Sequence, residues 1–182
     1  MHFAPDTEDT LEFAVALVNT EASASRSGDD ELDSPQQLTA LLTEHRYSGR
    51  FDRDEAELEE VRETRGILRR LWTLERDDLV TEVNRMLREA NAVAHLARHD
   101  DFDWHIHATE PTAPLAERIR VEAAFAFIDV IRMNETPRLR VCEADNCDGI
   151  FIDLSRNGSK RFCNVRCGNR MNMLAFRERQ GA

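Results

Sequence analysis

All four cysteines of this 182-residue chain fall between positions 142 and 167, in the order C-x4-C, fifteen intervening residues, C-x3-C. Two close pairs of thiols joined by a longer connector can surround one tetrahedral ion, and Zn2+ with thiolates at about 2.3 Å suits such a set. A reducing compartment favours that arrangement over disulfides. The first pair brackets a tight turn, Glu143 to Asn146, with Asp148-Gly149 just beyond it. Ile150, Phe151 and Ile152 read as a short strand, Asn157-Gly158 as a hairpin turn, and Lys160 to Cys163 as the returning strand. Asn164 is placed to cap a helix running to about Arg179, with Cys163 just before it and Cys167 in its first turn. Knuckle, hairpin and helix N-terminus together predict a treble-clef-like finger. Four thiolates close the coordination shell that a catalytic zinc leaves open. The expected cofactor is therefore one structural Zn2+ held by Cys142, Cys147, Cys163 and Cys167.

The rest of the chain predicts a mainly α-helical body over residues 1–136, with the finger occupying 137–182. Leu11, Ala14, Val15 and Val18 recur at helical spacing behind Asp9 or Thr10 as a cap, and Ser34-Pro35 opens a second helix. Residues 54–75 and a following segment capped by Asp77 or Asp78 each carry one apolar stripe. The segment 115–133 is apolar nearly all round and should be the most buried element. Residues 21–33 read as a polar excursion, and 92–98 with 103–109 as a β-hairpin. The body's long helices predict a core of its own. Apolar residues at 41% and charged ones at 32% fit a globular chain, and no apolar run is long enough to span a bilayer. The opening residues, MHFAPDTEDTLEF, lack the basic and apolar regions of a signal peptide, so a cytoplasmic setting is expected.

The tetrapeptide Cys167-Gly168-Asn169-Arg170, following Cys163 and preceded by C-x4-C, resembles the CGNR zinc-finger family over about 40 residues of the tail. Many members of that family carry an N-terminal helical region, the ABATE domain, whose first helix is Leu-rich and ends in Asn-Thr. Leu17-Val18-Asn19-Thr20 is similar to that ending. The resemblance implies a stress-response transcription regulator.

Charge is distributed to match. The chain carries a net −11, yet residues 138–182 hold nine Lys/Arg against five Asp/Glu, which leaves −15 on residues 1–137. A zinc-braced helix with outward arginines suits phosphate and guanine recognition. Lys160, Arg161, Arg166, Arg170 and Arg177 are the candidate nucleic-acid contacts, DNA being preferred over RNA. Arg170, three residues past Cys167, could instead brace the finger. The alternative for the whole basic face is docking on the acidic body or on another protein, which would make the chain an adaptor with the finger as a staple. The helical body is expected to sense a ligand or to pair with a second copy.

Other constellations are weaker. His95, His99, His105 and His107 gather around the predicted hairpin, and His105-x-His107 places two imidazoles on one strand face. No carboxylate at a matching spacing completes a metal site there, and the cluster has no assigned role. Glu122 and Asp129 share a helix face flanked by Arg118 and Arg132, which predicts salt bridges rather than acid–base chemistry. The chain has no Gly-rich phosphate loop, nucleophile elbow or HExxH motif. An enzyme is not expected.

Overall fold

The structure, a computed structural model, describes residues 3–98 and 104–181. The body contains five helices: α1 (Pro5–Val18), α2 (Pro35–Glu44), α3 (Glu55–Leu71), α4 (Arg76–Glu89) and α5 (Leu115–Arg132); α6 (Val165–Arg179) lies in the tail. Local chemistry sets their starts. Ser34 Oγ accepts from Gln37 N with Pro35 at the first helical position, and Asp54 accepts from Glu57 N at 2.9 Å. Glu57 answers by accepting from Asp52 N and Arg53 N, which closes a box around the start of α3. α1 begins at Pro5, upstream of the expected Asp9 or Thr10, because a proline there gives up an N–H that would have no helical partner anyway.

α5 is the central element, as its apolar run predicts. It packs against α1, α3 and α4. Leu115, Ile119, Ala124, Phe127 and Val130 are buried along it, and Trp72 meets Phe127 edge-on at 5.5 Å between centroids. Two charged residues of α5 also reach other parts of the body. Arg118 donates to the carbonyls of Ser48, Arg50 and Ala113, pinning the α2–α3 loop, and Asp129 accepts the hydroxyl of Thr7 at 2.7 Å.

Two antiparallel hairpins complete the fold. β1 (His95–Ala97) pairs with β2 (His105–His107), as predicted; their connecting turn, with His99, lies outside the described residues. β3 (Leu139–Val141) pairs with β4 (Ile150–Ile152), with Leu139 opposite Ile152 and Val141 opposite Ile150. This corrects the predicted partner of β4, which was Lys160–Cys163. Asp153 decides the matter. Its carboxylate accepts from Ser155 N and Lys160 N at 2.9 and 2.8 Å, while the Arg140 guanidinium reaches the carbonyls of Gly158 and Lys160. Those bonds close residues 153–160 into a loop and occupy the backbone groups a ladder would need.

β4 also ties the tail to the body. All three of its residues are buried, and Ile150 and Ile152 belong to the same apolar cluster as α1, α3 and α5. The body's core thus extends past residue 136. On the edge away from β3, the Asn19 side chain both donates to Ile150 O at 2.9 Å and accepts from Ile150 N at 2.8 Å; separately, Trp72 Nε1 donates to Phe151 O at 3.1 Å. The polar excursion after α1 is held rather than loose. Arg65 of α3 grips Asp30 through two bonds of 2.7 Å, Arg69 Nε pairs with Glu21 at 2.5 Å, and Leu32 is fully buried.

Replacing Asn19 with Ala strands two backbone groups of β4, each in a part-buried bond. The expected loss is about 1–3 kcal/mol of unfolding free energy, read as a lower urea midpoint with an unchanged slope. An unchanged midpoint would mean that β4 does not depend on the body.

Candidate metal centre

The four cysteine sulfurs converge at the tip of the β3–β4 hairpin. Cys142 follows β3 directly, and Cys147 sits on the return toward β4. Cys163 precedes α6 and Cys167 lies in its first turn, positioned by Asn164, whose Oδ1 accepts from Cys167 N at 2.9 Å. All four sulfurs lie within 4.8 Å of one another. Three of the separations are 3.7 Å (Cys147–Cys163), 3.8 Å (Cys163–Cys167) and 3.7 Å (Cys167–Cys147). A tetrahedron with metal–sulfur bonds of about 2.3 Å has edges of about 3.8 Å. A disulfide would need about 2.05 Å, and all four cysteines are free. The spacing is that of thiolates around a common ion.

The surroundings fit a cation as well. Burial opposes ionisation of Cys142, but the N–H groups of Cys163 and Ala144 directed at its sulfur outweigh it and hold the thiol below its ordinary range. Burial pushes the Cys163 thiol up, with Cys142 and Cys147 adding to it, and burial likewise raises Cys167. Four thiolates cannot ionise together at this distance unless positive charge sits among them, and a divalent ion supplies it. Cys142 and Cys167 are buried, and Ala144, Phe162 and Met171 pack around the sulfurs as a small second core. Gly149 passes so close that a Cβ would lie 3.0 Å from Cys163 Sγ and 3.3 Å from Cys147 Sγ. A side chain there would press both sulfurs and have to move them by a few tenths of an ångström.

The five predicted basic contacts meet different fates. Arg170 Nη2 donates to the carbonyl of Asp145, inside the C-x4-C turn, so it braces the knuckle. Arg166 Nη1 donates to Arg26 O at 2.7 Å, fastening α6 to the loop after α1. Arg161 pairs with Glu143 at 2.6 Å and lies over the Phe162 ring, and Lys160 Nζ stands 5.1 Å from the centroid of the buried Phe151 ring. Arg177 is exposed on the outer half of α6, beside Arg179. Sequence reasoning missed Arg69, which reaches from α3 to Asp148 O at 2.7 Å, and the bond from Asp148 N to Ser23 O at 3.1 Å. Neither has a local signal, because the partners are far apart in the chain. Asn19 was visible only as part of the helix ending.

Comparison with known proteins agrees with this architecture. Residues 138–180 match the model of the CGNR zinc finger, and residues 11–134 match that of the ABATE family, described as "Putative stress-induced transcription regulator". The second match covers most of the chain. The chain belongs to the ABATE family and ends in a CGNR zinc finger. No curated protein matches it.

Two substitutions separate ligation from packing. Cys163→Ser should release the metal in a chelator competition and leave the tail after about residue 137 open to protease. Gly149→Ala keeps all four thiols but intrudes on two sulfurs, and should weaken zinc retention without abolishing it. Full zinc retention by Cys163→Ser would show the ligand set to be wrong.

Proposed function

We propose that the chain is a non-enzymatic, cytoplasmic transcription regulator whose finger, closed around one structural Zn2+ on Cys142, Cys147, Cys163 and Cys167, presents α6 to nucleic acid, DNA in preference to RNA. The observation that carries this reading is the exposed outer half of α6. Arg177 and Arg179 stand there beyond the sulfur cluster, on a tail whose charge is positive while the body's is strongly negative. Lys160 and Arg161, in the segment between β4 and Cys163, are exposed as well. Their existing partners are a ring face and an exposed carboxylate, both of which a phosphate can replace at small cost. Arg166 and Arg170 serve the fold first, since each already donates to a backbone carbonyl. Reduced thiols at this density suit a reducing cytoplasm. Among the described residues no helix is long and apolar enough to cross a membrane.

A second reading has its own support. Met173, Leu174 and Phe176 are exposed on the same half of α6, at 54%, 38% and 53%. Such a strip suits a protein surface, either an adaptor's partner or a second copy of this chain. For the ligand-sensing role of the body, a cleft of about 210 Å3 between α3, α4 and α5 is available, lined by Ile67, Arg85, Met86, Glu89 and Arg120. It is smaller than the roughly 300–1,000 Å3 of ordinary ligand pockets and suits a small polar molecule.

Titrating the zinc-loaded chain with duplex DNA and with RNA at several salt concentrations tests the regulator reading. Four phosphate contacts give a log–log slope near −3.6, and the double variant Arg177→Ala, Arg179→Ala should flatten it by about 1.8 while retaining zinc. Arg170→Ala should do the reverse, lowering zinc retention and leaving the slope of the folded fraction unchanged. If the chain has no affinity for either nucleic acid at low salt, the adaptor reading takes its place.

A further inference from the structure

The β1–β2 hairpin carries a second set of metal-ligating side chains that is remote in sequence from the cysteines. Alternation along the strands puts His105 and His107 on one face, and the register sets His95 directly opposite His107. The sequence gathers these histidines around a hairpin; the strand register is what sets His95 beside His107. His105 Nε2 and His107 Nε2 already meet at 2.8 Å, and the two rings stand 4.7 Å apart between centroids. The His95 ring lies 6.2 Å from that of His107. The fourth position of this face is Ala97, opposite His105, whose methyl group leaves room above the strands. Leu96 and Ile106 form the pair on the other face, so the histidines are segregated from the hairpin's apolar side.

We propose that His95, His105 and His107 form a binding site for a divalent first-row transition ion, of the borderline class that prefers imidazole nitrogen. Two imidazoles on a common ion at about 2.05 Å place their nitrogens about 3.3 Å apart and their ring centroids about 5 Å apart. The His105–His107 pair is within half an ångström of both values. His95 is about 1 Å further out, and its ring is exposed, so a rotation of the side chain closes the gap. Its Nδ1 lies 3.3 Å from Val93 O. With Nδ1–H donating there, the Nε2 lone pair is the one presented to a metal, the orientation that metal-bound histidines ordinarily take from a backbone carbonyl. The 2.8 Å contact is a shared proton between two nitrogens; an ion takes that place as the proton leaves to solvent. Three imidazoles leave at least one coordination position to water, unlike the closed four-sulfur shell. Because the ligands come from both strands, the ion cross-links β1 to β2. This site is independent of the nucleic-acid reading.

Ni2+ titrated into zinc-loaded full-length chain, followed by calorimetry with zinc content assayed before and after, tests the assignment. One saturable Ni2+ per chain is expected beyond the retained zinc. Its affinity should fall at least tenfold in each of His95→Ala, His105→Ala and His107→Ala, and stay unchanged in His45→Ala, whose ring packs on Phe13. In the unsubstituted chain, Ni2+ should broaden the imidazole 1H–15N signals of His95, His105 and His107 and spare those of His45, which reads the site even if a variant misfolds. No saturable ion beyond zinc would overturn the proposal. So would unchanged affinity in His95→Ala, or Ni2+ appearing only with displaced zinc and a thiolate charge-transfer band.

Discussion

β4 is the interaction on which the rest of the structure depends, because it is one short strand with two different neighbours. Its inner edge is bonded to β3 and thereby fixes the hairpin whose tip carries Cys142 and Cys147. Its outer edge takes the Asn19 amide from the body, and the Trp72 indole donates to Phe151 O. Its side chains are buried in the body's core. These three residues, with the Arg69–Asp148, Asp148–Ser23 and Arg166–Arg26 bonds, link the sulfur cluster to the helical body. An isolated strand of that length would not persist without such supports. The sulfur cluster gains a fixed platform from this arrangement, and the body gains the apolar cover of Ile150 and Ile152.

Charge in the tail has two separate uses. Counting nine basic residues over 138–182 predicts a broad cationic face, but the structure assigns many of them to the fold. Arg138 reaches the carbonyls of Asp153 and Ser155, Arg140 closes the loop at Gly158 and Lys160, Arg166 fastens α6 to the body and Arg170 braces the knuckle. A guanidinium with five donors in a planar fork is well suited to collecting carbonyls in a region with little regular backbone pairing. This explains how a finger with one three-residue strand pair holds its shape, and it leaves the outward charge to the exposed Arg156, Lys160, Arg161, Arg177 and Arg179.

The legible parts of the fold were those governed by local chemistry. Ser34-Pro35 and Asn164 mark helix starts because a cap and its partner lie three residues apart. The cysteine spacing announces the sulfur cluster for the same reason. Two helix starts were misplaced locally, since α1 begins at Pro5 and α4 at Arg76, ahead of the expected caps; the other misplaced parts depend on distant partners. Asn157-Gly158 is a true turn signal, with Gly158 in the left-handed region at φ +57°, but the turn joins no ladder because Asp153 and Arg140 claim the backbone around it. Residues 21–33 look like free polar chain until Arg65 and Arg69, two turns or more into α3, supply the cations for Asp30 and Glu21. His95 belongs to the cluster the sequence gathers around the hairpin, and the register fixes its place opposite His107.

The central claim is that four sulfurs and nothing else surround the ion at the base of α6. X-ray absorption at the zinc edge, on full-length protein loaded with one equivalent of zinc, addresses it directly. The account predicts a single shell of four sulfurs at about 2.3 Å. A shell containing nitrogen or oxygen at about 2.0–2.1 Å would contradict it and move the first equivalent of metal away from the cysteines.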